Sequence, residues 1–302
     1  MSDVPDIATP VRTQAIMNQF GINTKKSLGQ NFLTDINILK NIVAAGDVQK
    51  TDNVVEIGPG IGALTEQLAR AAKQVVAFEI DDRLIPVLDH TMAPYDNVTI
   101  VHNDILKVDL EKEFAKQFED VTAPLKLVAN LPYYITTPIL MQVLQSGIHF
   151  DNIVVMMQKE VADRLSAEPG TKDYGSLTLA VQYRMNAKLA FTVSRTAFVP
   201  NPNVDSAIIS LTPREPLVIQ PRDEKRLFEL FKIGFVMRRK TLWNNLTTAF
   251  GKGEAMQAKL TAALAAIDLD PRTRAEKLSL ERFVELHNAL FDAGVYNAWF
   301  LL

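Results

Sequence analysis

The chain contains no cysteine. That excludes disulfides, thiolate zinc sites, iron–sulfur clusters and a cysteine nucleophile, and is neutral about cellular compartment. No run of about 20 apolar residues occurs, so no membrane span is expected. The first twenty residues carry Asp3 and Asp6 and no long apolar core, unlike a secretory signal. Internal repeats and low-complexity tracts are lacking as well, and a cytoplasmic protein is the expectation. Nor is there a basic excess: 302 residues carry 32 Lys and Arg against 35 Asp and Glu, a formal net charge of −3. Nucleic-acid binders are often basic overall, so the total counts mildly against one. The local distribution differs, because Arg222, Lys225, Arg226, Lys232, Arg238, Arg239 and Lys240 face only Asp223, Glu224 and Glu229 within residues 221–245.

What is present is an ordinary globular composition, 47% hydrophobic and 22% charged, long enough for a core domain plus a smaller one. Short apolar runs at 54–57, 75–80, 98–102, 125–129 and 153–157 read as strands. Helical patterns at 63–71, 83–90 and 137–145 alternate with them. Such alternation predicts a parallel sheet with helices on both faces and right-handed crossovers. After residue 174 the alternation loosens. Strands are expected at 187–193 and 207–211, and Pro213 and Pro216 then punctuate the chain. Residues 224–250, 254–266 and 280–291 carry helical spacing. Two domains follow from this pattern, 1–212 with the sheet and 213–302 small and all-α.

Between the first strand and its helix sits Glu56-Ile57-Gly58-Pro59-Gly60-Ile61-Gly62. Glycines allow tight turns and close ligand approach, and the helix start offers free N–H groups with partial positive charge. Glu79 ends the next strand, where a carboxylate can accept from both ribose hydroxyls of a nucleoside. Two ligands fit. Gly58, Gly60 and Ala63 satisfy the dinucleotide spacing G-x-G-x-x-G/A. Glu56 to Gly62 also satisfies E-x-G-x-G-x-G, which suits S-adenosylmethionine, a nucleoside without phosphates. Two features favour the methyl donor. One is Asn103-Asp104-Ile105 after the third strand, where Asp104 can accept from the cofactor's adenine amine, although Asp is also a common cap.

The other is Asn130-Leu131-Pro132-Tyr133, at the end of the fourth strand. Taken alone it reads as a strand followed by a proline turn with a packing tyrosine. Its amide oxygen and a proline-stiffened carbonyl can also accept hydrogen bonds from an NH₂ group while the tyrosine ring stacks on the base that carries it. That is a site for chemistry on the exocyclic amine of adenine, for which a hydride-transfer enzyme has no evident use.

These residues resemble the rRNA adenine N6-dimethyltransferases along most of the chain, the small-subunit (16S-type) enzymes most closely. The matching segments are residues 26–33 (Lys-Ser-Leu-Gly-Gln-Asn-Phe-Leu), Glu56 to Gly62, Glu79-Ile80-Asp81, Asn103 to Ile105, Asn130 to Tyr133, Gln158 to Ala162, and Phe198 to Ser206. Residues 235–246, with Arg238-Arg239-Lys240-Thr241-Leu242 and Asn244-Asn245-Leu246, also look like that group. Val193-Ser194-Arg195 stands where many relatives carry a proline-rich stretch, a local departure from the pattern. The resemblance implies a Rossmann-like class I methyltransferase domain followed by a helical domain that contributes to rRNA binding. It implies that Asn31, Leu33, Gly58 and Gly60 line the S-adenosylmethionine site, that Glu79 holds the ribose and Asp104 the adenine, and that Asn130 adjoins both methyl donor and target amine.

The expected reaction is double methylation of N6 on two adjacent adenosines near the 3′ end of 16S rRNA, in a pre-ribosomal particle. No metal is called for, and a monomer is expected. Catalysis would fall to Asn130, Leu131, Pro132 and Tyr133, with Phe198 as second face for the extruded base. Phosphate contacts would come from Lys25, Lys26, Lys159, Arg164, Lys232, Arg238, Arg239 and Lys240. Arg12, Arg272 and Arg274 are weaker candidates. Arg238-Arg239-Lys240 forms the best cluster, since three consecutive cations are not expected to pair internally. Other readings stay open: a 23S rRNA adenine methylase of the antibiotic-resistance type, a non-catalytic RNA-binding assembly or transcription factor on the same fold, and, on glycine spacing alone, a nicotinamide dehydrogenase.

Overall fold

The computed structural model describes residues 5–22 and 30–296; Lys25 and Lys26 lie outside the described residues. The chain divides into two compact units, Met1–Ala162 with Asn186–Pro213, and Asp163–Met185 with Arg214–Leu302. Among the described residues the strands are, in chain order, β1 (Phe32–Leu33), β2 (Asn53–Ile57), β3 (Gln74–Glu79), β4 (Val98–His102), β5 (Leu125–Asn130), β6 (Asn152–Gln158), β7 (Met185–Val193), β8 (Phe198–Val199) and β9 (Ser206–Pro213). The α-helices of the sheet-containing half are α1 (Pro10–Gln19), α2 (Ile36–Ala45), α3 (Ala63–Ala71), α4 (Ile85–Met92), α5 (Leu110–Gln117) and α6 (Thr136–Gln145), followed by α7 (Lys159–Leu165).

The first unit carries a seven-stranded sheet in the order β4-β3-β2-β5-β6-β9-β7. The first five of these are parallel, and β9 runs antiparallel to β6. Strands β2, β3, β5 and β6 are buried almost throughout, as befits parallel strands covered on both faces. The chain winds outward from β2 to β4, then returns to lay β5 on the other side of β2. That reversal opens a crevice at the carboxyl ends of β2 and β5, where open α/β sheets bind ligands. At the opposite end, Lys126 Nζ lies 2.8 Å from Asp52 Oδ2, both side chains under a tenth exposed, and ties β5 to the entry of β2. The expected α/β sheet flanked by helices is therefore present, with element limits shifted by a residue or two.

Entry into α3 depends on Gly62, whose φ is +91°. A Cβ there would meet Met92 Cε at 2.7 Å and Thr91 Oγ1 at 3.1 Å, so only glycine fits. Helix α2 begins where Asp35 accepts from the N–H groups of Asn37 and Ile38.

The second unit is helical: α8 (Ser176–Gln182), α9 (Glu224–Phe235), α10 (Leu242–Phe250), α11 (Glu254–Ala266) and α12 (Leu280–Asp292). Residues 163–185 group with these C-terminal helices. The expected helical run 224–250 is broken at 236–241. Buried Asn245 stabilises the break: its Oδ1 accepts from Met237 N at 2.9 Å, and its Nδ2 donates to Gly234 O at 3.0 Å and Thr241 O at 3.3 Å. Thr241 caps α10. Side-chain amide groups thus satisfy the free backbone groups that end one helix and start the next. No helix among the described residues is long and apolar enough to cross a membrane.

His287 on α12 is fully buried. Its Nε2 accepts from Asp223 N, the cap of α9, at 3.2 Å, which places the proton on Nδ1, 3.0 Å from the Tyr296 hydroxyl. Burial lowers its pKa from 6.5 to about 4; Asp223 opposes that shift and Arg226 adds to it. The unfolded chain therefore binds the proton first as pH falls. The stabilisation is complete above about pH 6.5 and is lost progressively toward pH 4, about 3 kcal/mol in all. Other groups, among them the buried Glu56, titrate in the same window with the opposite sign, so urea unfolding between pH 7.5 and 4.5 should show the loss as a fall in wild-type stability relative to His287→Gln.

Candidate active site

One cavity at the crevice is lined by Asn31, Leu33, Gly58, Gly60, Glu79, Asp104, Asn130, Leu131, Pro132, Tyr133 and Phe198. Every expected catalytic and cofactor residue is thus brought to one place. Local chain geometry explains how. Gly58 and Gly60 adopt φ of +72° and +63°. A Cβ on Gly58 would lie 3.7 Å from Pro132 Cδ and 3.9 Å from Asn130 O, so the glycine loop runs directly against the tetrapeptide. The short β1–β8 pair sets Leu33 opposite Phe198 and so carries residues 31–33 to the same cavity.

Glu79 is held by backbone donors. Its Oε1 accepts from Ile80 N at 2.9 Å and Asp81 N at 2.8 Å, and its Oε2 from Gly60 N at 3.2 Å. Burial raises its pKa, and Asp81 adds to that, while the three N–H groups pull it back. Glu56, also on the cavity wall, is 1% exposed. Its Oε2 has no hydrogen-bond partner among the described residues. Burial pushes its carboxyl up to about 8, and the charge of Glu79 contributes. Two buried acids on one wall, one with an orphaned oxygen, are suited to a cationic ligand.

Asp104 takes the capping role and also faces the cavity. It caps the 3₁₀ turn Ile105–Lys107 by accepting from Leu106 N at 3.0 Å, pairs with Lys107 at 3.4 Å, and still lines the cavity. Asn130 ends β5, and its side chain makes no hydrogen bond among the described residues. Tyr133 is half-buried in the turn before α6, its hydroxyl 2.6 Å from Ser206 Oγ. Phe198 is 1% exposed and belongs to the apolar core as well as to the cavity wall. Gln30, Tyr134 and Ile80 also line the cavity, and Gln30 Nε2 donates to Asp81 Oδ2 at 2.8 Å. Gln30, Ile80 and Glu56 lie within motifs legible in the sequence but carried no expected role of their own, and Tyr134 adjoins such a motif.

The described basic candidates are divided between the two units. Lys159 belongs to the first unit, and Arg164, Lys232, Arg238, Arg239 and Lys240 to the second. Arg238 is not unpaired as expected: the turn between α9 and α10 aims it at Glu276, 3.4 Å away, and at Thr171 O, 3.2 Å away. Arg239 and Lys240 are exposed and make no ion pair among the described residues.

Residues 21–291 match the family model of the ribosomal RNA adenine dimethylases. The chain is 58% identical to the ribosomal RNA small subunit methyltransferase A of Ligilactobacillus salivarius, across 97% of this chain and 99% of that protein. Its identity to the Lactiplantibacillus plantarum protein of the same name is 59%, over 98% and 99%. Among solved structures, a dimethyladenosine transferase from Plasmodium falciparum superposes with a TM-score of 0.72 at 26% identity, covering 87% of this chain and 98% of that one. The 23S rRNA methyltransferase ErmE gives 0.61, also at 26% identity, over 86% and 100%.

Proposed function

The chain belongs to the ribosomal RNA adenine dimethylase family, and from that premise we propose that it transfers methyl groups from S-adenosylmethionine to N6 of two adjacent adenosines near the 3′ end of 16S rRNA. The product would be N6,N6-dimethyladenosine, formed in the cytoplasm during small-subunit maturation by a protein acting as a monomer. The observation that carries the reading is the meeting of Asn130, the Gly58 loop, Glu79 and Asp104 in one cavity. Identity of nearly three-fifths to small-subunit enzymes, against 26% to ErmE, favours this substrate over 23S rRNA.

The residues present fit S-adenosylmethionine. When bound, it supplies an electrophilic methyl group on a cationic sulfur. The buried carboxyls of Glu56 and Glu79 favour a cation, and Glu56 would be driven to its ionised form beside one. Glu79 would hold the ribose diol and Asp104 the adenine amine, while Asn31, Leu33, Gly58 and Gly60 would complete the wall. The target N6 lone pair is delocalised into its ring and nucleophilically poor. Hydrogen bonds from N6–H to the Asn130 amide oxygen and to the Leu131 or Pro132 carbonyl would favour a pyramidal nitrogen and stabilise the charge developing on it. Tyr133 would stack on the extruded base, with Phe198 met from the buried side once the base has entered fully. No strong base is needed, because the methylated nitrogen is acidic while still cationic and its proton passes to solvent. After one transfer a single N–H remains, so one acceptor loses its partner in the second round.

The helical unit would contribute rRNA binding, with Lys159 and Arg164 as further phosphate contacts. Within the basic turn the larger share should fall to Arg239 and Lys240, because Arg238 is engaged internally. Reversing both charges should weaken rRNA binding across sequences and flatten the log-affinity against log-salt slope by about 1 per side chain. Filter binding from 50 to 300 mM salt (roughly the range in which counterion release is read) checks this.

The direct test is incubation of undermethylated 30S subunits and of naked 23S rRNA with the protein and labelled S-adenosylmethionine, followed by nucleoside mass spectrometry. Dimethyladenosine in the small-subunit rRNA is expected; label confined to 23S rRNA would transfer the assignment to the resistance-type methylases.

A further inference from the structure

Tyr133 sits in a turn rather than a strand or helix, yet its proposed task demands a fixed ring. Backbone hydrogen bonds anchor the chain on either side of it, from Leu131 N to Met156 O at 3.2 Å and from Ile135 N to Pro132 O at 3.1 Å. Neither restrains the ring. The hydroxyl at its tip, however, lies 2.6 Å from Ser206 Oγ, 73 residues further along the chain. Ser206 is fully buried and opens β9, in register with Gln158 of β6. The residue before it, Asp205, is itself locked: its carbonyl accepts from Lys159 N and its carboxylate from Arg195 N, each at 3.0 Å. The serine is thus a rigid post on the sheet, and the tyrosine a turn residue tied to it.

We infer that Ser206 is a positioning residue for the reaction, holding the Tyr133 ring in the plane in which it receives the target adenine. The inference rests on the proposed stacking role of Tyr133. Its physical basis is the hydrogen bond between a fully buried serine hydroxyl and a part-buried tyrosine hydroxyl. Tyr133→Phe strands the serine hydroxyl, and Ser206→Ala removes the hydrogen bond that holds the tip of the ring. Removing both leaves neither penalty. A ring that wanders loses near-attack geometry in the ternary complex but does not alter the cofactor wall, so the effect belongs in kcat.

The test compares Ser206→Ala, Tyr133→Phe and their double variant, with Tyr133→Ala as control. Measurements are single-turnover rates on 30S subunits, KM for S-adenosylmethionine, S-adenosylhomocysteine affinity by calorimetry, and Tm. Each of the two single substitutions is expected to slow turnover about three- to tenfold, the size of one hydrogen bond, with KM and cofactor affinity unchanged. The double variant should be no slower than the worse single. Two results would overturn the inference: a Ser206→Ala enzyme with wild-type turnover and only a lower Tm, or additive losses in the double variant. If Tyr133→Ala itself turns over within a few-fold of wild type, the stacking role falls and this inference with it. A large loss in Tyr133→Ala with none in Ser206→Ala removes Ser206 alone.

Discussion

Replacing Asn130 with alanine is expected to lower kcat by a factor on the order of 10²–10³, the loss seen when one preorganised hydrogen-bonding group aimed at a developing charge is removed. Stability should change little, because the Asn130 side chain makes no hydrogen bond among the described residues and its truncation orphans no partner there. The backbone of the tetrapeptide is held independently, through Leu131 N to Met156 O. Cofactor affinity should also survive to within a few-fold, since Glu79 and Asp104 are untouched. A kcat-specific defect is the signature of an interaction made mainly in the transition state. Rapid-quench single turnovers at saturating S-adenosylmethionine, with affinity measured separately by calorimetry, separate these quantities. Turnover within a few-fold of wild type in a folded Asn130→Ala protein would remove Asn130 from the chemistry.

That prediction could be framed from the sequence because the tetrapeptide lies at the end of an apolar run, and apolar runs of strand length were the most legible part of the chain. β2 to β6 lie within a residue or two of their expected places; β2, β3, β5 and β6 are covered on both faces and so are almost continuously hydrophobic. The glycine loop was legible for a similar reason: positive φ at Gly58, Gly60 and Gly62 demands the residue type. Contacts made across the chain were not. The two-residue strands β1 and β8 are too short to carry a period, yet their pairing brings Leu33 to Phe198. The break between α9 and α10 hid inside a continuous helical pattern because Asn245 compensates for it through side-chain bonds. The pairing of Arg238 with Glu276 and the orphaned oxygen of Glu56 likewise depend on which groups meet in space. Motif spacing located the candidate site; the hydrogen bonds that hold its side chains in place could be seen only in the folded chain.

Loss of the Glu79 carboxylate should be the largest binding defect in the protein. On the proposed reading it accepts from two ribose hydroxyls, and hydrogen bonds to a charged acceptor contribute roughly 1.5–3 kcal/mol each, so Glu79→Ala should weaken S-adenosylmethionine and S-adenosylhomocysteine by on the order of 10²–10⁴-fold. Alanine also strands the N–H groups of Gly60, Ile80 and Asp81, which Glu79 now satisfies, so a lower Tm will accompany it. Glutamine separates the two effects. Its oxygen can keep Ile80 and Asp81, but its NH₂ then faces the Gly60 N–H and can no longer accept there. The fold should therefore survive better than in the alanine variant, while affinity still falls about 10- to 100-fold with the charge and one acceptor gone. The decisive comparison uses a cofactor analogue lacking the ribose hydroxyls. Wild type should prefer the hydroxylated ligand strongly and Glu79→Gln only weakly, because the preference is the interaction that the substitution removes. An undiminished preference in Glu79→Gln would mean that the ribose is held elsewhere, leaving Glu79 as a brace for the glycine loop through Gly60.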